Sequence, residues 1–411
     1  MKILNFGSAN IDFVYKLKNI VSPGETVSAT SISKFPGGKG LNQSVAIAKS
    51  GSKVYHAGLI GEDGEFLRDI LNEANVNTTY LKTVSEPTGH AMIQVDDNGE
   101  NSIIIYKGAN GKVTKDFIDD VLKNFAEGDI LVLQNEINNI DYLIKKAAEK
   151  GLKIVLNPSP FTEKLKEIDL NLIWFLILNR VEGQNWSGEK TPHLILNYLN
   201  KSFKNLNVVL TLGSVGCIYG NGKEQIFCPS FKTSVVDTTG AGDTFTGYFI
   251  SAVSKNESIL NSLKFASAAS AIAISKSGAA ISIPYAREVK AALKELKPSI
   301  DKNFFELENK KSSVKEYIRN NILSVNLEEV SKFLGYNTAY TSSWIKKNFN
   351  KSFTDIVLEI KCEEIAKLLV ETNLSVNEVV QKVGYQNEDF IRKKFIEIYN
   401  KSFKEYRKEN K

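Results

Sequence analysis

The chain has 411 residues, which exceeds the size at which a single hydrophobic core stops growing, so two or more domains are expected. Lysine and arginine outnumber aspartate and glutamate by 52 to 47, a net charge of +5, which is too small to indicate a polyanionic partner for the chain as a whole. The apolar fraction of 42% is typical of folded, soluble domains.

The cysteines and histidines argue against a protein stabilised by a structural metal site or by disulfide bonds. Cys217, Cys228 and Cys362 show no C-x-x-C spacing, and the three histidines are far apart in the sequence, so neither a zinc site nor a disulfide framework is expected. The first residues contain no long apolar segment with a cleavage signal, and the apolar run at 172–178 is too short to cross a bilayer. The sequence therefore predicts a cytoplasmic protein without a membrane association.

From residue 1 to about residue 290, short apolar runs alternate with longer helical patterns. This alternation is typical of strand-helix-strand units and predicts an α/β domain with a mostly parallel sheet. The first glycine cluster in it, FPGGKGLNQSVAIAKSG, joins a loop to a helix and places Lys39 and Asn42 at the opening turn beside Gly38. It is not a P-loop, because G-x-x-x-x-G-K-[ST] occurs nowhere in the chain. Taken alone, the cluster favours a glycine hinge with a solvated lysine over a ligand site.

Four later runs end in polar groups or glycine: DILVLQNE, KIVLNPSP, WFLILNRVE and NVVLTLGS. The residues at these ends are Glu136, Asn157, Asn179, Glu182, Thr211 and Gly213. Ligands of open α/β sheets bind outside the carboxyl ends of the strands, so we expect these groups to meet at one crevice. Ordinary polar turns after strands are the alternative interpretation.

The segment VVDTTGAGDTFTGYF, residues 235–249, predicts an anion-binding helix start. Apolar residues recur at every fourth position after Asp243, so a helix is expected from about Gly242. The small residues Gly240, Ala241 and Gly242 allow backbone N–H groups to approach an anion at the positive end of the helix dipole. Asp243 is then a candidate base that takes a proton from a hydroxyl group beside a transferred phosphoryl group. A helix-capping role for Asp243 is the alternative.

Together, these motifs resemble those of the ribokinase-like sugar kinases, the PfkB family. GSANIDFV, PGETV, PGGKGLNQSVA, GEDGEF, GENSIIIYKGAN, NPSP, LTLGSVG and DTTGAGDTF follow the order and spacing of that family, over residues 1 to about 295. The resemblance implies ATP-dependent phosphorylation of a sugar hydroxyl by a ribokinase-like fold, a mostly parallel sheet flanked by helices with a small β lid. The lid would come from about residues 13–34 and 88–108, close over the sugar and pair two subunits into a homodimer.

The resemblance also implies a role for each matching residue. Asp243 would be the catalytic base, with Gly240, Ala241 and Gly242 as the anion hole. The sugar would be bound by Asn10, Asp12, Gly38, Lys39, Asn42 and Glu136. The nucleotide would be bound by Asn179, Thr211, Gly213 and Ser267, with Glu182 close to Mg²⁺ through water. A potassium ion would be held by Asp237, Thr239, Ala273, Lys276, Gly278 and Ser282.

The chain departs from the family pattern at the nucleotide strand. The usual P-N-E-x-E is here Leu178, Asn179, Arg180, Val181 and Glu182, so one carboxylate near the metal is replaced by an arginine. GSANID, GGKGLNQ and the glutamate of LQNE favour ribose among the sugars of the family. Fructose, deoxyribose, a keto-deoxy sugar acid and a nucleoside remain alternatives.

After a charged, proline-containing connection at 297–311, the sequence repeats itself. VSKFLGYNTAYTSSWIKKNFNKSFTDIV, from Val330, matches VVQKVGYQNEDFIRKKFIEIYNKSFKEYR, from Val379. Each copy has an apolar helix, a Gly-Tyr turn and a second helix with basic residues, which predicts an all-α domain with two helix-turn-helix units in tandem. The domains predicted for the chain are thus 1–296, the connection at 297–311, and 312–411.

This second domain resembles the DNA-binding domain of the AraC/XylS transcription regulators, which implies that double-stranded DNA is a partner. The predicted recognition helices are 338–348 and 388–395, with candidate DNA contacts at Tyr340, Ser342, Ser343, Lys346, Lys347, Arg392 and Lys393. Ser343 stands where these regulators commonly have arginine. A helical protein-docking domain is the alternative.

Three functions therefore compete. The favoured one is a sugar kinase fused to a DNA-binding module, forming a sugar-responsive transcription regulator. The second is a sugar sensor with negligible turnover, for which Arg180 is the main argument. The third is a metabolic kinase whose C-terminal domain binds protein.

Overall fold

The computed structural model describes residues 1–299, 302–386 and 388–410, except for the side chains of 302–306 and 309. The chain forms two units, Met1–Lys302 and Asn303–Lys411. The first unit carries the strands and the second is helical, as the sequence predicts.

The first unit is built on a sheet with the strand order β13-β12-β11-β10-β9-β8-β1-β4-β5. Its strands are β1 (Ile3–Phe6), β4 (Val54–Gly61), β5 (Asn77–Val84), β8 (Ile130–Gln134), β9 (Lys153–Asn157), β10 (Phe175–Asn179), β11 (Asn207–Thr211), β12 (Gly216–Gly220) and β13 (Gln225–Pro229). Neighbouring strands from β5 to β11 run parallel, and β12 and β13 are antiparallel.

The helices of this unit cover the sheet and leave its central strands buried. They are α1 (Lys39–Lys49), α2 (Glu65–Glu73), α3 (Lys115–Leu122), α4 (Ile140–Glu149), α5 (Arg180–Ser187), α6 (Pro192–Ser202), α7 (Ala241–Ser254), α8 (Ile259–Ala273), α9 (Ala279–Ser282) and α10 (Ala286–Ala292). Every residue of β8 is buried, which explains why the central strands read as continuous apolar runs without alternation.

The four runs with polar ends become adjacent parallel strands, β8, β9, β10 and β11. Their carboxyl ends therefore meet at one edge of the sheet. Parallel strands need crossover connections that return the chain to the same edge, so each polar residue following a strand is delivered to that edge.

A second, smaller sheet confirms the predicted β lid. It contains β2 (Asn10–Lys16), β3 (Ser31–Gly37), β6 (Gly89–Val95) and β7 (Asn101–Tyr106) in the order β3-β2-β6-β7. Its edge strand β7 exposes three consecutive isoleucines, Ile103, Ile104 and Ile105, which are 51%, 59% and 58% accessible.

The second unit contains α11 (Lys302–Asn320), α12 (Leu327–Leu334), α13 (Thr338–Phe349), α14 (Phe353–Glu371), α15 (Val376–Lys382), α16 (Asp389–Tyr399) and α17 (Phe403–Asn410). One apolar cluster surrounds Val330 and Ile345 in the first repeat. Another surrounds Val379 and Phe395 in the second. Each helix-turn-helix copy thus has its own core.

The repeated tetrapeptide NKSF is a turn between two helices in both copies. Asn350 and Asn400 have φ angles of 55° and 53° and end α13 and α16 in the left-handed conformation that asparagine tolerates better than most residues. Ser352 then accepts a hydrogen bond from the N–H of Asp355 and caps α14. The phenylalanines at 353 and 403 pack against the two cores. The asparagine, serine and phenylalanine of the tetrapeptide therefore each have a role in the local structure.

The predicted connection at 297–311 is not wholly a linker, because α11 begins within it at Lys302. Apolar residues on this helix, including Leu307, Val314 and Ile318, pack in the core of the first repeat. Residues 300 and 301 of the connection lie outside the described residues. Within the described ranges, we find no helix whose length and apolar character suit a membrane span.

Candidate active site

Asp243 lies in the first turn of α7, and its carboxylate is held by two amides from α1. The helix is capped by Gly240, whose φ is 73°, so Asp243 is its third residue and not its cap. The Nδ2 of Asn42 donates to Oδ2 at 3.0 Å, and the Nε2 of Gln43 donates to Oδ1 at 3.0 Å. Asp243 is only 6% exposed. The two glycine-rich segments of the sequence therefore meet at this carboxylate.

The start of α7 leaves N–H groups available for an anion. The N–H of Ala241 donates to the carbonyl of Thr238 at 3.2 Å. Among the described residues, the N–H groups of Gly240 and Gly242 have no such acceptor. A Cβ added to Gly242 would meet nothing within 4 Å, so there is open space in front of this turn. Two of the three predicted anion-hole N–H groups thus remain available.

The residues predicted to bind the sugar gather around Glu136, just after β8. The backbone N–H of Lys39 donates to its Oε2 at 2.9 Å, and the hydroxyl of Ser8 donates to the same oxygen. Asp12 lies against Gly37, where an added Cβ would come within 2.2 Å of a carboxylate oxygen of Asp12. Glycine at the end of β3 therefore leaves room for the carboxylate of Asp12.

Electrostatics tie these groups to Asp243. Burial raises the pKa of Asp12 to about 6, and the charges of Glu136 and Asp243 act in the same direction. Asp243 raises the pKa of the Lys39 ammonium, with a smaller contribution from Glu136. Burial raises the pKa of Glu136 as well, against the hydrogen bonds from Ser8 and Lys39. The site therefore combines several carboxylates with one lysine, a set of acceptors and a donor suited to a polyol.

The base of the lid is joined to this group through Asn10. Its Oδ1 accepts a hydrogen bond of 2.7 Å from the Nδ2 of Asn110, which ends the GENSIIIYKGAN motif but is not among the predicted sugar-binding residues. An added Cβ on Gly38, which has a φ of 90°, would lie 2.9 Å from the N of Asn10. Asn10 and Gly38 are thus neighbours, as expected for two residues of one binding site.

A cavity of about 500 Å³ opens in front of the α7 turn. Its walls include the predicted nucleotide residues Thr211, Gly213 and Ser267, together with Ala241 and Gly242. Much of the remaining lining is apolar, including Phe231, Val235, Phe245, Ala271 and Ile274. An apolar cleft that ends at free N–H groups suits a ligand with a flat ring at one end and phosphates at the other.

In the second unit, the predicted contact residues of the first repeat all lie on the surface of α13. Tyr340, Ser342, Ser343, Lys346 and Lys347 are exposed, whereas Thr341, Trp344 and Ile345 are buried. The helix begins at Thr338, as predicted, and contains no acidic residue. Its outer face is therefore polar and positively charged.

The second repeat presents a less basic face. Arg392 and Lys393 are exposed on α16, but Nη1 of Arg392 pairs with Oε1 of Glu388 at 3.3 Å. Phe390 is 65% exposed on the same helix. The two repeats share a fold but differ in surface chemistry.

Comparison with known proteins finds a family match for each of the two units. The model of the pfkB family carbohydrate kinases matches residues 1–286. The chain belongs to the pfkB family of carbohydrate kinases. A helix-turn-helix domain model matches residues 330–409, so this pfkB kinase carries an AraC-type helix-turn-helix domain after its kinase domain in the sequence.

Similar proteins include a ribokinase of Lactococcus lactis subsp. lactis, 36% identical over 300 residues that cover 72% of this chain and 98% of the relative. A deoxyribokinase of Salmonella typhi is 31% identical over 264 residues, covering 61% of this chain and 84% of the relative. The structure of Arabidopsis thaliana ribokinase complexed with ribose and ATP matches with a TM-score of 0.65 and 32% identity, covering 71% of this chain and 98% of the other. This pfkB kinase is thus an ATP-dependent sugar kinase.

The asparagine and glutamate of the N-x-x-E sequence stabilise the start of a helix, apart from any role in ligand binding. The Oδ1 of Asn179 accepts from the N–H of Glu182 at 2.9 Å, and Oε2 of Glu182 accepts from the N–H of Asn179 at 2.9 Å. This reciprocal pair is a capping box at the start of α5. Neither residue lines the cavity. Oε1 of Glu182 has no hydrogen bond among the described residues and suits a water of a hydrated Mg²⁺.

The predicted potassium residues come from two segments of the kinase, 237–239 and 273–282, which Asp237 joins. Its Oδ1 accepts from the N–H of Thr239 at 2.9 Å and its Oδ2 from the N–H of Gly278 at 3.0 Å. Burial alone would raise the pKa of Asp237, but these hydrogen bonds lower it, so an anionic carboxylate lies among the residues whose backbone oxygens are predicted to bind the cation. This donor set of carboxylate and carbonyl oxygens is compatible with a hard monovalent cation.

Sequence reasoning missed the residues that support the site from behind. Gln43 contacts Asp243 directly, and Gln134 and Asn5 connect to it by hydrogen bonds. Gln43 follows Asn42 in the helix opening motif, and Gln134 precedes Glu136 by two residues. The sequence signal that could have identified these residues is an amide side chain within a segment that is otherwise apolar.

Proposed function

We propose that this pfkB kinase transfers the γ-phosphoryl group of ATP to a hydroxyl of D-ribose, yielding ribose 5-phosphate and ADP, and that it binds double-stranded DNA as a sugar-responsive transcription regulator. The observation that carries the proposal is the position of Asp243. Its carboxylate lies in the first turn of α7, is held by the amides of Asn42 and Gln43, and acts through its charge on Asp12 of the proposed sugar subsite.

In the proposed reaction, Asp243 takes the proton of the attacking hydroxyl as its oxygen forms a bond to the γ-phosphorus. The bond between that phosphorus and the β-γ bridging oxygen breaks, and ADP leaves with the electron pair. The N–H groups of Gly240 and Gly242 stabilise the negative charge of the transferred group. General-base assistance of this kind contributes about 10²- to 10⁴-fold to the rate.

Ribose binding is supported by an unsatisfied acceptor among the predicted sugar-binding residues. Oδ1 of Asn42 is buried without a hydrogen-bond partner, although buried polar atoms are nearly always paired. A sugar hydroxyl donating to this oxygen would pair it. Asp12, Glu136 and Lys39 add further acceptors and a donor. A site that pairs several hydroxyls rejects sugars that lack one of them, and deoxyribose is the first alternative to test.

ATP would occupy the cavity lined by Thr211, Gly213 and Ser267, with its phosphates at the α7 turn. Mg²⁺ bound with the nucleotide would neutralise phosphate charge, with Glu182 contacting one of its waters. A potassium ion would lie behind the anion hole on oxygens from the Asp237 and 273–282 loops, including Ser282. These assignments predict that turnover requires Mg²⁺ and increases with K⁺.

The exposed isoleucines of β7 support a homodimer through the lid. An edge strand with three exposed isoleucines is unfavourable in water, and a second copy of the sheet would cover it. The test is sedimentation or light scattering of the purified protein beside Ile104→Lys. A monomeric wild type would exclude the lid dimer.

DNA binding is supported by the exposed, acid-free face of α13. Tyr340, Ser342 and Ser343 are proposed to contact bases, and Lys346 and Lys347 to contact phosphates. Arg392 and Lys393 are the corresponding contacts of α16. For regulation, the sugar or nucleotide must bind with different affinities to the free and DNA-bound states of the protein.

The deciding experiment measures ADP release by the full chain with Mg²⁺, K⁺ and a panel headed by D-ribose, beside Asp243→Asn. Ribose-dependent turnover that is lost in the variant, with ribose binding retained in calorimetry, supports the kinase mechanism. Ribose binding without turnover in the wild type would make the first unit a sensor. A salt titration of promoter binding, with and without ribose and ATP, tests the regulator: an affinity that responds to neither ligand excludes coupling.

A further inference from the structure

We infer that Gln43 is a positioning residue for phosphoryl transfer, and that a buried chain of amides fixes the direction in which it donates to Asp243. The inference rests on the proposed function, in which Asp243 is the base. Gln43 is fully buried, at 0% exposure, so it does not reach the sugar or the nucleotide. Its effect on the reaction has to pass through the carboxylate it contacts.

Both hydrogens of the Gln43 amide are used. Nε2 donates to Oδ1 of Asp243 at 3.0 Å and to Oδ1 of Asn157 at 3.0 Å. Its carbonyl oxygen accepts from Nε2 of Gln134 at 2.7 Å. The side chain therefore lies in a fully specified set of contacts, with its N–H groups on the Asp243 side.

The orientation of these amides is not interchangeable, because both ends of the chain are fixed by backbone carbonyls that only accept. Nδ2 of Asn5 donates to the carbonyl of Gly40 at 2.7 Å, which leaves its Oδ1 to accept from Gln134 at 2.9 Å. Gln134 must then direct its nitrogen toward Gln43. Nδ2 of Asn157 likewise donates to the carbonyl of Ile177 at 2.9 Å, which leaves an oxygen facing Gln43.

A reversed Gln43 amide would place its oxygen against two acceptors, Oδ1 of Asn157 and the carboxylate of Asp243. That arrangement leaves buried polar atoms unpaired and opposes like partial charges, which is costly in a low-dielectric interior. The network thus delivers one N–H to one oxygen of Asp243. Asn42 holds the other oxygen at 3.0 Å, so the carboxylate is fixed at both ends.

The network ends away from the site at Ser44 and His56. Oγ of Ser44 accepts from Asn5 at 2.8 Å and lies 2.8 Å from Nδ1 of His56. Burial lowers the pKa of His56 to about 3, so this ring is neutral throughout the working range of pH. The histidine therefore does not bring a charge into the network.

The test compares Gln43→Glu and Gln43→Met in the full chain with wild type at about pH 8, using ADP release with ribose. Loss of a donor to a charged group predicts a kcat about 10- to 100-fold lower in both variants. The KM for ribose should remain within about twofold of wild type, because the residue acts only on the base. Ser251→Ala is the control. Ser251 is also fully buried and lies on the same helix as Asp243, but it does not contact the carboxylate. Its replacement by alanine removes a side-chain hydrogen bond to Ser52.

The pH dependence separates positioning from a packing defect. A glutamate at position 43 can donate an O–H to Asp243 only when protonated, and the neighbouring carboxylate favours that form. The ratio of kcat of Gln43→Glu to wild type should therefore increase as the pH decreases to about 6, whereas the ratio for Gln43→Met should stay constant. Asp12, Glu136 and His56 make no hydrogen bond with Gln43, so their own titration is common to wild type and variants and cancels in the ratio.

The outcomes are distinct. Wild-type turnover with unchanged kcat in both Gln43 variants, or a decrease matched by Ser251→Ala, overturns the inference and leaves the kinase mechanism intact. A larger change in KM than in kcat also overturns it. Absence of ribose-dependent ADP release from the wild type removes the proposed function and the inference together.

Discussion

The Nδ2 of Asn42 lies 3.0 Å from Oδ2 of Asp243, although the two residues are 201 positions apart in the sequence. The amide thus uses its nitrogen on the proposed base, and its oxygen is left buried and unpaired. One side chain therefore joins the proposed sugar subsite to the proposed base.

This double role predicts the effect of Asn42→Leu. The variant lacks a hydrogen bond to Asp243 and an acceptor for the sugar, so kcat should decrease and the KM for ribose should increase, each by about tenfold or more. The KM for ATP should not change, since Asn42 does not line the nucleotide cavity. Steady-state kinetics with both substrates varied will show the pattern. A variant with altered kcat alone would exclude Asn42 from the sugar subsite.

Asp12 predicts the acid limb of the pH profile. Its pKa is raised to about 6 by burial and by the charges of Glu136 and Asp243, so the carboxylate becomes protonated as the pH decreases through that value. A neutral carboxyl is a weaker acceptor for a sugar hydroxyl, and kcat/KM for ribose should decrease below about pH 6.

Asp12→Asn provides the control for this profile. The variant cannot ionise, so its kcat/KM should be lower at neutral pH and should lose the inflection assigned to Asp12. An unchanged inflection in the variant would assign the acid limb to another group, such as Glu136.

Much of the fold and part of the site could be predicted from sequence because the signals are local. The polar residues after β8, β9, β10 and β11 meet at one edge because parallel neighbours with crossover connections bring like ends together. The start of α7 is set within a few residues by Gly240, Ala241 and Gly242. The repeat predicts both helix-turn-helix copies, since each NKSF turn carries its own capping residues.

Other features could not be predicted from the sequence, because they depend on long-range contacts or because one motif fits two local roles. The amide chain from Asn5 through Gln134 to Gln43 joins three separate segments, and no periodicity connects them. Asn179 and Glu182 match a ligand motif and a capping box equally well, and the structure shows the capping box. The helix α11 begins in a segment whose charge and proline predict a connection, because its apolar positions are completed only by the core of the first repeat.

The asparagine of the first NKSF turn predicts a stability effect. Asn350 has a φ of 55°, where alanine is disfavoured by about 1 kcal/mol or more. Asn350→Ala should therefore lower the free energy of unfolding of the second unit by about 1 kcal/mol, whereas Asn350→Gly should not lower it. Urea denaturation of the full chain, monitored by tryptophan fluorescence, measures the difference. Asn348→Ala, two residues earlier in the regular helix, is the control. If it lowered the free energy of unfolding as much as Asn350→Ala does, the left-handed conformation at Asn350 would not be the explanation.

The surface of α13 predicts the salt dependence of DNA binding. Lys346 and Lys347 are exposed and proposed to bind phosphates, so replacing both with alanine should decrease the slope of log K against log[salt] by about 0.9 for each phosphate that is no longer neutralised. Ser343→Arg, on the same helix, should increase affinity and slope because the guanidinium adds a cation beside the phosphates or bases. The measurement is fluorescence anisotropy with duplex DNA from about 50 to 200 mM salt. Lys123→Ala, an exposed lysine of the kinase unit paired with Asp120, should leave the slope unchanged. If wild type shows no binding even at the lowest salt, the helix-turn-helix unit is a protein-docking domain instead.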